Sequence, residues 1–165
     1  MTDATVLTPE QLAAFLMLHE VSSLLGHAVE RQLREDGGLT VPQFQILAHL
    51  NKAQAGHLRM TDLADGLVYS RSGLTYQAAQ LEKRGLVSRT QGADDERSVT
   101  VTLTPAGRAL FGQVIPGHVK VVQRHMLDAL TPADITTITA ILGKVRDRLR
   151  TSPPRSAAPR ARKRS

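Results

Sequence analysis

From Ser70 to Gly85 the chain reads SRSGLTYQAAQLEKRG, and at ~100° per residue on a helix these residues sort by chemistry. Leu74, Ala78 and Leu81 fall in one narrow sector, which makes a core stripe. Ser72, Thr75, Tyr76, Ala79 and Lys83 fall roughly opposite. That outer face is small, hydroxyl-bearing and weakly basic. Ser70 stands where an N-cap belongs. The hydroxyls and amide of Ser70, Ser72, Thr75, Tyr76 and Gln77 are groups that hydrogen-bond base edges in a DNA major groove, while Arg71 is suited to phosphate. Free backbone amides at a helix start attract phosphate as well. The competing reading is a solvated helix face with Ser70 as a cap alone.

A second stretch, LVSRTQGADDERSVTVTLTPAG (86–107), alternates on both flanks and carries Asp94, Asp95, Glu96 and Arg97 in its middle. Holding a free arginine in one rotamer costs up to ~2 kcal/mol of side-chain entropy. A carboxylate two residues back, Asp95, is placed to hold the planar fork of Arg97 before a partner arrives. Otherwise the two make an exposed ion pair worth roughly 0–1 kcal/mol. Lys83, Arg84 and Arg89 are candidate phosphate contacts, which position a protein on DNA without reading sequence, or else solvated charges.

Catalytic grammar is missing. The chain has no cysteine, which excludes disulfides, thiolate metal sites and cysteine redox sensing. It has no glycine-rich phosphate loop and no Ser/His/Asp arrangement, so no enzyme activity and no cofactor is expected. His19 and His27 are eight apart, and His118 and His125 seven apart. A zinc site needs about four convergent ligands, and neither pair forms a tight His-x-x-x-His, so core or surface histidine is the expectation and metal is not.

The net charge of +6 is unevenly spread. Five of the 21 basic residues lie in TSPPRSAAPRARKRS (151–165), which leaves 16 against 15 acids in residues 1–150. Such a tail cannot pack a core and reads as basic and disordered. A case for nucleic acid must therefore come from the body. Hydrophobic residues at 41% and charged residues at 22% are a globular composition. No uninterrupted apolar run approaches the ~20 residues of a membrane span, and MTDATVLTPEQ lacks the pattern of a secretory signal. The expected location is the cytoplasm, with no membrane partner.

The elements that must position these residues follow from start and stop signals. Thr8-Pro9, Thr40-Val41-Pro42, Thr104-Pro105 and Thr131-Pro132 each set a capping threonine before a proline suited to a first helical turn. Gln11 stands where a capping-box partner belongs. The first helix runs until Gly37-Gly38, and the second until Gln54-Ala55-Gly56. MTDLADGL (60–67) and the 70–85 helix are joined by a tight link, a helix-turn-helix. Val99, Val101 and Leu103 share one strand face, with 86–91 the partner strand and Gly92 to Glu96 the turn. In the helix after Pro105, Pro116-Gly117 is expected to kink or break the pattern, which resumes through Val119, Val122, Met126 and Leu130. The expected fold is thus mainly α with a small β-hairpin wing. Residues 1–36 form an N-terminal dimerisation helix, 40–104 a winged helix-turn-helix, and 105–150 the C-terminal dimerisation helices.

The segment RMTDLADGLVYSRSGLTYQAAQLEKRGLVSR, followed by Asp95, Arg97, Val101, Leu103, Thr104 and Gly107, resembles the MarR family of bacterial transcription regulators. The flanking helices match that family in length and order, and in the L-T-P start at Leu130. The resemblance implies a homodimer with interlocking N- and C-terminal helices, each winged domain reading half of a pseudo-palindromic operator on double-stranded DNA. It also implies a repressor released by a small effector, often phenolic or anionic, bound between the dimer and DNA-binding parts. By the same resemblance Ser70, Arg71, Ser72, Thr75, Tyr76 and Gln77 belong to the recognition helix, and Arg97 enters the minor groove beside Asp95. Tyr76 departs from the pattern, where arginine is frequent; tyrosine can hydrogen-bond phosphate or pack on a thymine methyl. The alternative is a non-specific, architectural winged-helix protein that uses its basic tail. Arg97→Ala is expected to weaken operator binding by about 1–3 kcal/mol with the dimer intact, and equal affinity in a filter-binding titration would remove Arg97 from the interface.

Overall fold

The threonine–proline starts all cap helices in the computed structural model, which describes residues 6–67, 69–91 and 99–151. Thr8, Thr40 and Thr131 close full capping boxes with Gln11, Gln43 and Asp134, and Thr104 caps through the Gly107 amide. The helices they open are α1 (Pro9–Gly37), α2 (Val41–Lys52), α5 (Pro105–His125) and α6 (Pro132–Arg150). Between them lie β1 (His57–Arg59), α3 (Met60–Leu67), α4 (Arg71–Lys83), β2 (Val87–Gln91) and β3 (Val99–Leu103). Gly38 ends α1 in the left-handed conformation (φ 58°), where its amide reaches back to the Leu33 and Arg34 carbonyls.

The sheet has three strands rather than the two expected. Its order is β1-β3-β2, all antiparallel, with His57 opposite Thr102 and Val87 opposite Leu103. β1 escaped the sequence reading because three residues are too few to display a period of two. Val87, Val101 and Leu103 turn inward, as the alternation requires. They close a core with Leu39, Ile46, Leu47 and Leu50 around α2, Leu63 of α3, and Leu74 and Leu81 of α4.

Leu33 of α1 and Val114 of α5, both fully buried, carry the long helices into that core. Pro116-Gly117 lies within a continuous α5, so of the expected kink or break the break does not occur. A proline removes one helical amide, and the side chains of α5 on either side stay anchored: Val114 is fully buried and Ile115 and Val121 pack against the core. The interruption comes later, at Met126, where a 3₁₀ turn (Leu127–Ala129) replaces the helical pattern expected to resume through Leu130. At Gly117 a Cβ would collide with the Asp36 carboxylate and come within 2.9 Å of the Gln32 amide nitrogen, so glycine permits the α1–α5 approach.

The outer parts of the long helices have no cover in a single chain. Leu12, Phe15, Leu16, Met17, Leu18, Val21 and Leu24 of α1 are exposed, and so are Ile135, Ile141, Leu142, Val145 and Leu149 of α6. No residue of α6 is buried. Among the described residues, α1 is the one helix long and apolar enough to cross a membrane by length and composition, its most apolar 18 residues having a mean hydropathy of 1.4. It contains no long uninterrupted apolar run, since His19, Glu20, Ser22, Ser23 and His27 break up a stretch whose average is still apolar.

Gly107, in the first turn of α5, lies against the backbone carbonyl of Leu86, where a Cβ would also meet Leu103 Cδ1 at 2.9 Å. Backbone cannot move aside as a flexible side chain can, so Gly107→Ala is expected to lose about 1–3 kcal/mol of stability by overpacking. Urea unfolding checks this; an unchanged midpoint would mean that α5 shifts freely against the turn before β2.

Candidate nucleic-acid interface

The candidate surface is built on α4, whose two faces have opposite solvation. Leu74, Ala78 and Leu81 are fully buried against α2 and the sheet. Arg71, Ser72, Thr75, Tyr76 and Lys83 are exposed, Tyr76 by 61%, and Gln77 is half-buried. Ser70 has extended geometry (φ −63°, ψ 142°) and accepts from the Gly73 amide at 3.1 Å. Its hydroxyl therefore does cap the helix, and it lies 3.5 Å from the Ser72 hydroxyl. Thr75 donates its hydroxyl to the Arg71 carbonyl at 2.7 Å, leaving its oxygen lone pairs to accept. Tyr69, half-buried beside the core, anchors the link before the helix.

Arg71 and Lys83 have no ion-pair partner among the described residues. Arg89 does. The Glu82 carboxylate accepts from the Arg89 backbone amide at 3.0 Å and side-chain Nε at 2.8 Å, and Arg89 Nη2 lies 2.7 Å from the same oxygen as Nε. The Arg89 side-chain hydrogen bond is the chief reason that the Glu82 carboxyl sits below the usual carboxylate range. Arg84 is also engaged: Nη1 donates to the Gly38 carbonyl at 2.8 Å and Nη2 to the Gly37 carbonyl at 2.9 Å. Nothing in sequence spacing announces either arrangement, because the acceptors are set by tertiary folding. Asp95 and Arg97, with Asp94 and Glu96, lie outside the described residues.

Behind this surface α5 meets α2 through aromatic side chains. Phe44 stacks on Phe111 at 5.6 Å between centroids and lies against the His118 ring at 4.6 Å. His118 Nδ1 is buried without a hydrogen-bond partner among the described residues. Farther out, Val21, Leu24, Leu25, Ala28 and Met126 with His27, Arg31 and His125 line an open groove of about 510 Å³ between α1 and the end of α5. Within the described residues no group of three or more His, Cys, Asp or Glu side chains gathers as metal ligands would.

Residues 37–98 match the model of the MarR family. The chain is similar to the MarR family regulator Sco3205 of Streptomyces coelicolor, whose structure was solved in complex with DNA. The identity is 30%, the coverage 95% of this chain and 98% of that one, and the TM-score 0.88. It is 30% identical to the transcriptional regulator PecS of Dickeya dadantii over 80% of this chain and 79% of PecS. It is 32% identical to the transcriptional repressor YetL of Bacillus subtilis over 65% of this chain, a match that spans 64% of YetL.

Burial lowers the proton affinity of His118 from its ordinary value of 6.5. The unfolded chain binds that proton near pH 6.5 and the folded chain only at lower pH, so acidification through this window favours unfolding. The contribution is fully present at about pH 7.5 and declines below about pH 6.5. His118→Leu is expected to flatten the urea midpoint between roughly pH 7.5 and 5.5; a midpoint as pH-dependent as in the parent would assign the titration elsewhere.

Proposed function

The chain belongs to the MarR family of transcription regulators, and from that premise we propose that it is a dimeric, sequence-specific reader of a pseudo-palindromic DNA operator. Members of this family are regulators rather than enzymes. The observation that carries the reading is the α4 face. It is a capped helix whose buried side is entirely apolar, and its exposed side presents Arg71, Ser72, Thr75, Tyr76 and Lys83, with Gln77 at the margin. Its first residues, including Ser70, lead into the major groove, where base edges offer both donors and acceptors. Lys83 meets phosphate. Asp95 and Arg97 enter on sequence grounds as the wing's minor-groove contact.

Dimerisation is supported by the exposed apolar side chains of α1 and α6, which exceed the scattered apolar surface of a soluble monomer. A second copy covers them without requiring a membrane, and the polar residues inside α1 favour a protein neighbour. Two winged domains related by a two-fold axis then read the two half-sites. The regulator acts in the cytoplasm as a repressor, released by a small phenolic or anionic effector. The apolar walls of the α1–α5 groove, with His27, His125 and Arg31 among them, suit such a molecule.

The test is selection of bound fragments from random DNA, followed by titration against competitor. The expected outcome is a palindrome bound roughly 10³-fold or more over random sequence. Equal affinity for all DNA would replace this reading with an architectural binder. In parallel, Phe15→Glu with Ile141→Glu is expected to yield monomers by light scattering and to abolish tight operator binding; a monomeric parent would remove the dimer.

A further inference from the structure

Arg84 and Arg89 flank the C-terminal end of α4, and by residue type both are suited to phosphate. Both guanidinium forks are occupied inside the chain instead. Arg84, the C-cap residue of α4, bridges the Gly37 and Gly38 carbonyls at 2.9 and 2.8 Å. These carbonyls close α1, a helix of 29 residues. Helix-end carbonyls lack intrahelical donors and carry the negative end of the helix dipole, so a cation with two parallel N–H groups is their matched partner. Arg89 of β2 is held by Glu82, the penultimate residue of α4, through its side chain and its backbone amide.

We propose that Arg84 and Arg89 are positioning residues rather than phosphate contacts, and that they make the end of α4 a junction holding the recognition helix in fixed register with the end of α1 and with the wing. The proposal rests on the DNA-reading function stated above. Geometry explains why register matters. A helix of 13 residues is about 20 Å long at 1.5 Å per residue. Tilting it by about 10° at one end displaces the other by about 3 Å, more than a base-edge hydrogen bond tolerates. Arg84 also connects the reading helix to α1, the helix whose outer half carries the uncovered apolar face. A shift in how α1 packs thus reaches α4 through two hydrogen bonds as well as through the core.

Positioning and phosphate contact predict different behaviour. A phosphate contact releases counterions, favours specific and random DNA alike, and accepts lysine as a point charge. A fork bridging two carbonyls, or gripping one carboxylate through Nε and Nη2, is not reproduced by lysine. The experiment compares the full-length parent with Arg84→Met, Arg84→Lys, Arg89→Met and Arg89→Lys, each titrated with selected operator and with random DNA at several salt concentrations. Each Met variant is expected to lose about tenfold in operator affinity, with random-DNA affinity and salt slope unchanged, and each Lys variant to recover little. Recovery with lysine, or a slope shallower by about one unit with equal losses on both DNAs, would assign phosphate contact and overturn the proposal. Unchanged operator affinity would overturn it too. Hydrogen exchange without DNA gives an independent readout: in Arg84→Met the Gly38 and Leu39 amides should exchange faster. Parent-like exchange there sinks the junction whether or not an operator exists, whereas failure to select an operator sinks only the DNA-reading function.

Discussion

Glycine at position 117 lets the backbone of α5 come close enough to α1 for Gln32 and Asp36 to pack directly on it, and the rest of the molecule is arranged around that approach. Gln32 Nε2 donates to the Val114 carbonyl at 3.2 Å and to the Asp36 carboxylate at 2.9 Å, while Gln113 donates to the Asp36 carbonyl at 3.3 Å. A step farther in, Leu33 and Val114 are fully buried. The Gln32 amide nitrogen is thus fully engaged, while its Oε1 is buried without a hydrogen-bond partner among the described residues. Just beyond the crossing Gly38 ends α1 in the left-handed conformation, and the Gly37 and Gly38 carbonyls at that end receive Arg84.

From the crossing outward the molecule divides by solvation. Inward lies a core shared by α2, α3, α4 and the sheet, closed by aliphatic side chains and by Phe44. Outward, α1 and α6 display apolar side chains that only another surface can remove from water. Non-directional burial favours association without choosing a geometry. The exposed residues run along two long helices, so a surface that covered them would be equally elongated. The winged-helix part needs no such help, because its aliphatic side chains already pack on one another.

Charge is distributed by a similar logic. Near α4, Arg71 and Lys83 stand without ion-pair partners among the described residues, whereas Arg84 and Arg89 are held by protein acceptors. An arginine on a DNA-facing element is thus no guarantee of a phosphate contact. The guanidinium fork serves a pair of helix-end carbonyls or a carboxylate as well as it serves phosphate. Which of these it serves is a matter of what folding places within 3 Å.

Helix starts, the inward stripe of α4 and the alternation of β3 were legible in the chain because each is set by neighbours within about one turn. Threonine before proline caps locally, and a period of 3.6 or 2 records a single buried face. The MarR resemblance was legible for the same reason, its motif residues lying together between Arg59 and Gly107. Three features were not. β1 is too short to show a period and exists as a strand because β3 supplies its hydrogen bonds. Pro116 stays within a continuous α5 because tertiary packing overrides a local preference. Arg84 and Arg89 found acceptors whose positions depend on the completed fold, one of them 46 and 47 residues away in the chain. Local order, then, was determined by the sequence alone, while the tertiary structure decided which polar side chains would be left for a partner, because only the folded chain brings distant acceptors within hydrogen-bonding reach.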